Sequence, residues 1–150
     1  MFKNLFNPNK DNDQNQQANS QILFASLLVR AARIDNEYSS SEKQQIDKIL
    51  EKKFSIANIR AMDIRKAGEN HESNTLDTVQ ITREIKKDIP FENRKLLAED
   101  LWSIILADDK RTEEENSFMR TCIKLIGVND VDSAKARQAV INRTLSENKP

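Results

Sequence analysis

LLVRAARIDNEYSSSEKQQIDKIL, residues 27–50, is matched 73 residues later by DLWSIILADDKRTEEENSFMRTCI, residues 100–123. Each stretch runs from an amphipathic segment through an acidic turn, which we term an elbow, into a second amphipathic segment. A Ser or Thr precedes the second segment, and a Glu follows that Ser or Thr by three residues. The offset aligns Asp35 with Asp108 and keeps apolar residues, cap and acid in register. This agreement predicts two related helical hairpins, packed about an approximate two-fold axis.

The rest of the chain also carries helical periodicity. Phe24, Leu27, Leu28 and Ala31 follow the i, i+3, i+4, i+7 pattern of an amphipathic helix. The 150 residues include only two glycines and three prolines, which leaves little material for hairpin turns between strands. The sequence therefore predicts an all-α fold of about seven helices, counted from Ser20.

Local signals predict where the remaining helices begin and end. Outside the two hairpins we expect helices over about 56–70, 75–87 and 130–145, and the first helix of the second hairpin covers about 91–107. Ser55 is the expected N-cap of the first of these, with Gly68 near its end. The second stops before Pro90, because the residue preceding proline disfavours helix. Gly127 is expected to end the sixth helix as a left-handed cap.

The N-terminal residues differ in composition from the rest of the chain. Residues 7–19 are almost wholly polar and rich in Asn and Gln, so they cannot repay the entropy of their own ordering. We expect a flexible leader over 1–19 and one domain over 20–150, long enough to bury a core without disulfides. At most weak peripheral contact with a membrane is expected from the four apolar residues that begin the chain, Met1, Phe2, Leu5 and Phe6.

Composition argues against several functional classes. The formal net charge is zero and no long basic block occurs, so no nucleic-acid partner is expected. Cys122 is the sole cysteine, which excludes a disulfide framework, and its apolar helical surroundings predict a buried thiol. No apolar run approaches 18 residues and no secretory signal is evident, so we expect a cytoplasmic protein without a transmembrane segment.

Few side chains outside the elbows suggest chemistry. His71 is the only histidine, so the chain cannot supply the two histidines of an HExxH zinc site, and a surface position on a bend is expected. Trp102 has helical spacing and is expected to pack between helices. Glu99 and Asp100 lie on the same predicted helix as Asp108. They either join an acidic network or face solvent.

The elbows have a purely structural explanation. Ser39-x-x-Glu42 and Thr112-x-x-Glu115 are capping boxes, in which the hydroxyl accepts from a backbone amide and the glutamate reaches back to the cap residue. Each cap contributes about 1 kcal/mol. Further acids nearby suit the positive end of a helix.

The elbows also have the properties of a cation site. Residues 35–42 and 108–115 each carry a net charge of −3, and Glu42 precedes Ile46 by one helical turn, which directs it along the seam between apolar faces. If the two-fold axis brings the elbows together, a hard cation relieves the repulsion. Oxygen ligands favour Ca²⁺, Mg²⁺ or Mn²⁺. The expected ligands are Asp35, Glu42, Asp108 and Glu115.

The elbows are not EF-hands. The EF-hand loop needs glycine at its sixth position and glutamate at its twelfth. Counting from Asp35 the twelfth residue is Ile46, and counting from Asp108 it is Met119.

Several segments, in order over about residues 20–146, resemble the TerB-like tellurite-resistance family. LLVRAARIDNEYSSSE and AEDLWSIILADDKRTEEE resemble its two motifs, HESNTLDTVQITREI its connecting segment, and LIGV the end of its sixth helix. The resemblance implies a helical bundle in a cytoplasmic bacterial protein tied to stress or tellurite resistance. It also implies divalent-cation binding by the same four elbow acids. Asn36 and Asp109 replace the glycine that follows each aspartate in the family, and both tolerate a left-handed backbone.

The sequence leaves two functions open and argues against a third. The first is a non-enzymatic TerB-like protein that binds a divalent cation at paired elbows and couples occupancy to helix packing or to an unknown protein partner. The second is a helical protein–protein interaction module, such as a co-chaperone or scaffold accessory, whose elbows are only caps. A metal-dependent hydrolase would need an open coordination position and a general base, and the sequence identifies neither. We therefore expect no enzymatic activity.

Overall fold

The computed structural model describes seven α-helices and no strand within residues 8–34, 38–75, 77–107 and 112–147. Side chains are described over the same residues except 8–17, 104, 107 and 115. The helices are α1 (Pro8–Ala32), α2 (Ser40–Phe54), α3 (Asn58–Ser73), α4 (Thr78–Asp88), α5 (Phe91–Ala107), α6 (Glu113–Leu125) and α7 (Asp130–Glu147). The predicted all-α fold is confirmed.

Side-chain oxygens cap the starts of three helices. Ser39 Oγ accepts from the amide of Glu42 over 3.2 Å, which is one bond of the predicted capping box. Asp77 and Asn129 accept in the same way from the amides three residues later, both over 2.8 Å. Each cap satisfies an amide that no carbonyl within the helix can reach.

The helix ends agree with the prediction at Gly127 and differ at Ser55. Gly127 has φ 88°, the left-handed conformation expected of it. Ser55 does not begin α3; it ends α2 with φ 54°, and its amide donates to Glu51 O. The prediction was wrong because α2 continues to Phe54, whose ring packs edge-on against Phe24 with 5.9 Å between centroids. Burial of that ring decides where α2 stops.

The first helix begins earlier than the sequence predicts. α1 starts at Pro8 and not at Ser20, so residues 8–19 of the expected leader are helical. Proline suits a first helical position because the amide it lacks would have no partner there. Once the apolar part of α1 is formed, each added residue contributes a hydrogen bond without a new nucleation cost. The division into leader and domain stays a prediction.

α1 is the central helix of the core. It packs most extensively against α3 and also contacts α2, α4 and α6. Phe24, Leu27 and Val29 are almost completely buried, and full burial of such a side chain is worth about 1.5–3 kcal/mol. The core continues through the later helices with the buried residues Ile81, Ile85, Leu97, Leu101, Met119, Cys122, Ile123 and Ile126.

The second half of the chain pairs its helices in the order of the first. α5 packs against α7 as α1 packs against α3. α6 begins at Glu113 and α2 at Ser40, which reproduces the 73-residue offset of the sequence motifs. Ile46 and Met119, equivalent at that offset, are both buried. The two-fold axis itself stays a prediction.

The longest helices, α1 with 25 residues and α7 with 18, are rich in polar side chains. None of the helices in the described part of the chain combines the length and the apolar composition that crossing a bilayer requires.

Candidate functional site

The structure locates one of the four predicted ligand side chains. Asp35 and Asp108 lie outside the described residues. Glu115 belongs to the first turn of α6, but its side chain is also outside the description. The side chain of Glu42 is described, so its surroundings show where the first elbow enters α2.

Glu42 lies half-buried in the first turn of α2. It lines a cavity of about 10 Å³, which holds about one water-sized group. Gln45 and apolar side chains form the other walls, namely Leu28, Ala32, Ile46, Ile49 and Met119. Met119 comes from α6, so the glutamate of the first elbow lies at the junction of α2 with the second half of the chain.

Four polar side chains, which we term the Tyr38 network, fasten the end of the first elbow to α2 and α3. The Tyr38 hydroxyl donates to Glu69 Oε1 over 2.9 Å. The same carboxylate accepts from Arg65 Nη1, and Arg65 Nε donates to Asp47 Oδ1 over 2.7 Å. The side chains of Arg65 and Asp47 are 9% and 7% exposed, so this pair is shielded from water.

The network shifts the ionisation of its members. Burial raises the pKa of Tyr38, and the hydrogen bond to the Glu69 carboxylate raises it further. Burial by itself would lower the pKa of Arg65, but its bonds to Asp47 and Glu69 raise it overall. Burial would raise the pKa of Glu69, but bonds from Arg65 and Tyr38 lower it overall. At neutral pH the charged guanidinium of Arg65 therefore lies beside the ionised Glu69 and the neutral phenol of Tyr38.

The ring of Tyr38 is held as well as its hydroxyl. The guanidinium carbon of Arg33 lies 4.9 Å from the ring centroid, and Nζ of Lys43 lies 5.1 Å from it. Each such cation–π contact contributes about 0.5–1 kcal/mol at a solvent-accessible position. Tyr38 follows Asp35 by three residues and precedes Glu42 by four, so the anchor lies between two predicted ligands.

A second ionic cluster joins the ends of α1 and α3. Glu72 is paired with Arg30 Nε over 3.3 Å and with Arg33 Nε over 3.4 Å. Arg30 Nη2 also donates to the carbonyl of Thr75 over 2.8 Å. The cluster therefore holds the end of α1, just before the first elbow, against α3.

The inner members of the Tyr38 network, Asp47, Arg65 and Glu69, were not among the predicted functional residues. A signal existed, because Arg65 directly follows Ile64 and precedes Gly68 by three residues on the buried stripe of α3. A charged residue on an apolar stripe needs a partner. Asp47, next to Ile46 on the buried face of α2, is the partner that tertiary packing supplies.

The two acids of α5 each pair with a basic side chain of another helix, whereas Asp108 lies outside the described residues. Asp100 Oδ2 pairs with Lys53 Nζ over 2.6 Å, which links α5 to α2. Glu99 Oε1 pairs with Arg143 Nη2 over 2.7 Å, which links α5 to α7. Both acids are partly shielded, so neither simply faces solvent.

The remaining predicted positions have mixed outcomes. His71 is half-buried and not on an exposed bend: α3 continues past it to Ser73, and its buried Nε2 lies 3.3 Å from Glu84 Oε2. The helix extends this far because Thr75 Oγ1 donates to the His71 carbonyl over 2.7 Å. Cys122 is buried, as predicted. Trp102 packs between helices, as predicted, and its indole N–H donates to Ser133 Oγ over 3.0 Å.

Among the described side chains, no three His, Cys, Asp or Glu residues converge as a metal ion requires. Of the four predicted ligands, Glu42 alone belongs to that set of side chains.

The fold and the position of Glu42 define the class as an all-α bundle in which an acidic helix start lines a small cavity between α1, α2 and Met119 of α6. The model of the family described as tellurite resistance protein TerB matches residues 21–138 of this chain. The chain therefore belongs to the TerB family. No curated protein and no solved structure matches it.

Proposed function

We propose that this TerB-family protein binds a divalent cation between its two elbows and acts as a non-enzymatic component of a cytoplasmic response to tellurite or other stress. The proposed ligands are Asp35, Glu42, Asp108 and Glu115. Ca²⁺, Mg²⁺ or Mn²⁺ suits an all-oxygen set. Family membership supports the general role, and the geometry around Glu42 supports the place of the site.

The single observation that carries the proposal is the cavity shared by Glu42 and Met119. Met119 follows Glu115 by one helical turn, as Ile46 follows Glu42. Four residues of helix correspond to a rise of about 6 Å. The cavity that Glu42 and Met119 share therefore supports a position of the two elbows, each of charge −3, in one region of the molecule.

We propose that cation binding between the two elbows acts by changing how the helices pack. A ligand shifts a conformational equilibrium only through a difference in its affinity for the two states. A cation that bridges the starts of α2 and α6 binds the arrangement in which they are close and does not bind one in which they have separated. Occupancy would thus be converted into helix packing, which a protein partner can recognise.

Thermal unfolding in chelator and then with each of the three cations tests the proposal. At a free cation concentration 100 times Kd, we expect stabilisation of about 2.7 kcal/mol, or a rise in midpoint of about 5–10 °C. The double variant Asp35→Asn, Asp108→Asn should lose this rise and keep its midpoint in chelator. Asp63→Asn, on an exposed position of α3, is the matched control. A wild-type midpoint that no cation moves would refute the site.

A groove favours a second candidate function, a protein-interaction module. Its volume is about 350 Å³, and it lies between α1, the end of α2 and the α4–α5 connection. Its apolar walls are Phe24, Phe54, Ile89, Pro90, Leu96 and Leu97. Leu96 is 54% exposed there, and a well-formed apolar pocket is a common binding surface. If this second function is correct, Leu96→Asp should abolish the capture of a specific partner. The cations should leave the unfolding midpoint of both the variant and the wild type unchanged.

A further inference from the structure

An open apolar groove lies between α1, the end of α2 and the connection from α4 to α5. Phe24 and Phe54 line it and pack edge-on, with 5.9 Å between ring centroids. Leu96 lies on its wall with 54% of its surface exposed, so this wall is accessible to a partner. An open surface of this kind suits a segment of a partner protein, whereas small-molecule sites enclose most of their ligand.

The groove carries one acid that the protein does not neutralise. The two charged side chains in its walls are Lys53 and Asp88, and Lys53 Nζ pairs with Asp100 Oδ2 over 2.6 Å. Asp88 is the last residue of α4, where the negative end of the helix dipole disfavours a carboxylate. None of the ion pairs in the described part of the chain includes Asp88. A cationic group on the occupant would therefore complement the groove.

Lys53 and Asp88 lie toward different ends of the groove. Asp88 precedes α5, whereas Asp100, the partner of Lys53, lies well inside it. Residues 91–100 of α5 correspond to a rise of about 14 Å, between two and three helical turns. The Lys53 ammonium also lies 5.1 Å and 5.7 Å from the centroids of the two aromatic rings. A cation already covers these rings, so the cation of an occupant belongs at the Asp88 end.

Most main-chain groups in the groove walls are already bonded, because the walls are largely helical. At the connection, the Ile89 amide donates to Ile85 O over 2.9 Å. The Pro90 carbonyl accepts from the amides of Asn93 and Arg94 over 2.9 and 3.0 Å, and Pro90 has no amide hydrogen of its own. An extended peptide would thus find few main-chain partners here, whereas a helix satisfies its own main chain.

We infer that the groove binds an amphipathic helix of a partner protein, which inserts two apolar side chains one turn apart and pairs a Lys or Arg with Asp88. Two turns of such a helix rise about 11 Å, which fits within the wall between Asp88 and Asp100. This assignment rests on the interaction role raised above for the groove and does not depend on the cation site.

Selection from a display library of helical peptides, with the full chain in chelator as the target, tests the assignment. Leu96→Asn removes apolar surface without adding a charge and serves to discard peptides that bind elsewhere. Enriched peptides should carry two apolar residues spaced by three or four and a net positive charge. No enrichment, or equal binding to wild type and Leu96→Asn, would show that the groove is not an interaction surface. Neutral or acidic peptides would overturn the pairing with Asp88 and leave the groove as an interaction surface.

Charge variants then test the pairing directly. The tightest selected peptide should bind Asp88→Asn about three- to tenfold more weakly, and Asp88→Lys at least about tenfold more weakly. The same peptide with Glu in place of its Lys or Arg should recover binding to Asp88→Lys alone. Glu92→Gln removes an equal charge at an exposed position outside the groove walls and should leave the affinity unchanged. With all variants folded in urea titrations, equal affinity for wild type and Asp88→Asn would overturn the pairing.

Two other occupants of the groove give different results. A wild-type dimer in sedimentation that Leu96→Asn dissociates would assign the groove to a second copy of this chain. Peptide binding that tightens by at least about tenfold when Phe2 and Phe6 are both replaced by Ser would assign it to the start of the same chain. Either result would overturn the assignment to a partner helix.

Discussion

Gly68 on α3 lies directly against Ala25 on α1. A Cβ built on Gly68 would be 2.7 Å from the Cβ of Ala25 and 2.9 Å from its carbonyl carbon. The second contact involves backbone, which cannot move aside as a flexible side chain can. The absence of a side chain at Gly68 therefore sets the close approach of the two most extensively packed helices.

Gly68→Ala should destabilise the protein although alanine favours helix. Helix propensity alone would stabilise the variant by about 1 kcal/mol. Overpacking a tight contact costs about 1–3 kcal/mol, and here it would separate α1 from α3. We expect a net loss in the free energy of unfolding, measured in urea. Lys66→Ala, exposed on the same helix, is the control, and a more stable Gly68→Ala would contradict the close contact.

Arg65→Met should be among the most damaging single changes. It leaves Asp47 buried without its partner, and such a change costs about 3–5 kcal/mol. The double variant Asp47→Leu, Arg65→Met removes both charges and should recover most of that loss. Urea unfolding of both single variants, the double variant and wild type gives the coupling energy. Simple addition of the two single effects would show that the pair is not coupled.

Glu69 should contribute to acid sensitivity. Its pKa is lowered in the folded protein by Arg65 and Tyr38, against the effect of burial. Its contribution to stability is therefore present above the pKa of an unfolded glutamate, about 4.3, and is lost as the pH falls below that value. Between about pH 5 and pH 3, Glu69→Gln should lose less stability than wild type in urea titrations at each pH. Identical pH profiles would exclude this contribution.

Cys122 should be inert in the native protein. Burial raises the pKa of its thiol to about 12, although the charge of Arg30 acts in the opposite direction. The thiolate is the reactive form, so both access and ionisation are suppressed. At pH 8, a disulfide reagent should label native protein at least about 100-fold more slowly than protein in urea. Comparable rates would mean that the thiol is accessible.

Ser55→Gly should stabilise the end of α2. Ser55 has φ 54°, and a left-handed residue with a Cβ costs about 1–2 kcal/mol. Glycine removes that cost but adds entropy to the unfolded chain, so a net gain of roughly 0.5–1 kcal/mol is expected. The unfolding midpoint measures it, with Ser103→Gly, at an exposed position inside α5, as a control of opposite sign. A lower midpoint for Ser55→Gly would contradict the left-handed cap.

The sequence alone determined the number and type of elements. Apolar spacing placed the helices, and Pro90 and Gly127 marked two boundaries, because these signals act within one or two turns of chain. The same local character explains the error at Ser55. Its side chain is compatible with a cap at either end, and the choice was made by Phe54 packing against Phe24, a contact between distant parts of the chain.

Tertiary structure decided how charges are paired and which helices lie close. The bond between Arg65 and Asp47 joins residues far apart in sequence, and so does the bond between Lys53 and Asp100. No local sequence pattern identifies the partners of such ion pairs, because a charge on a helix face can pair with any opposite charge that packing brings close to it. The sequence therefore identified the acids of the first elbow, whereas only the packed structure revealed the Tyr38 network that holds it.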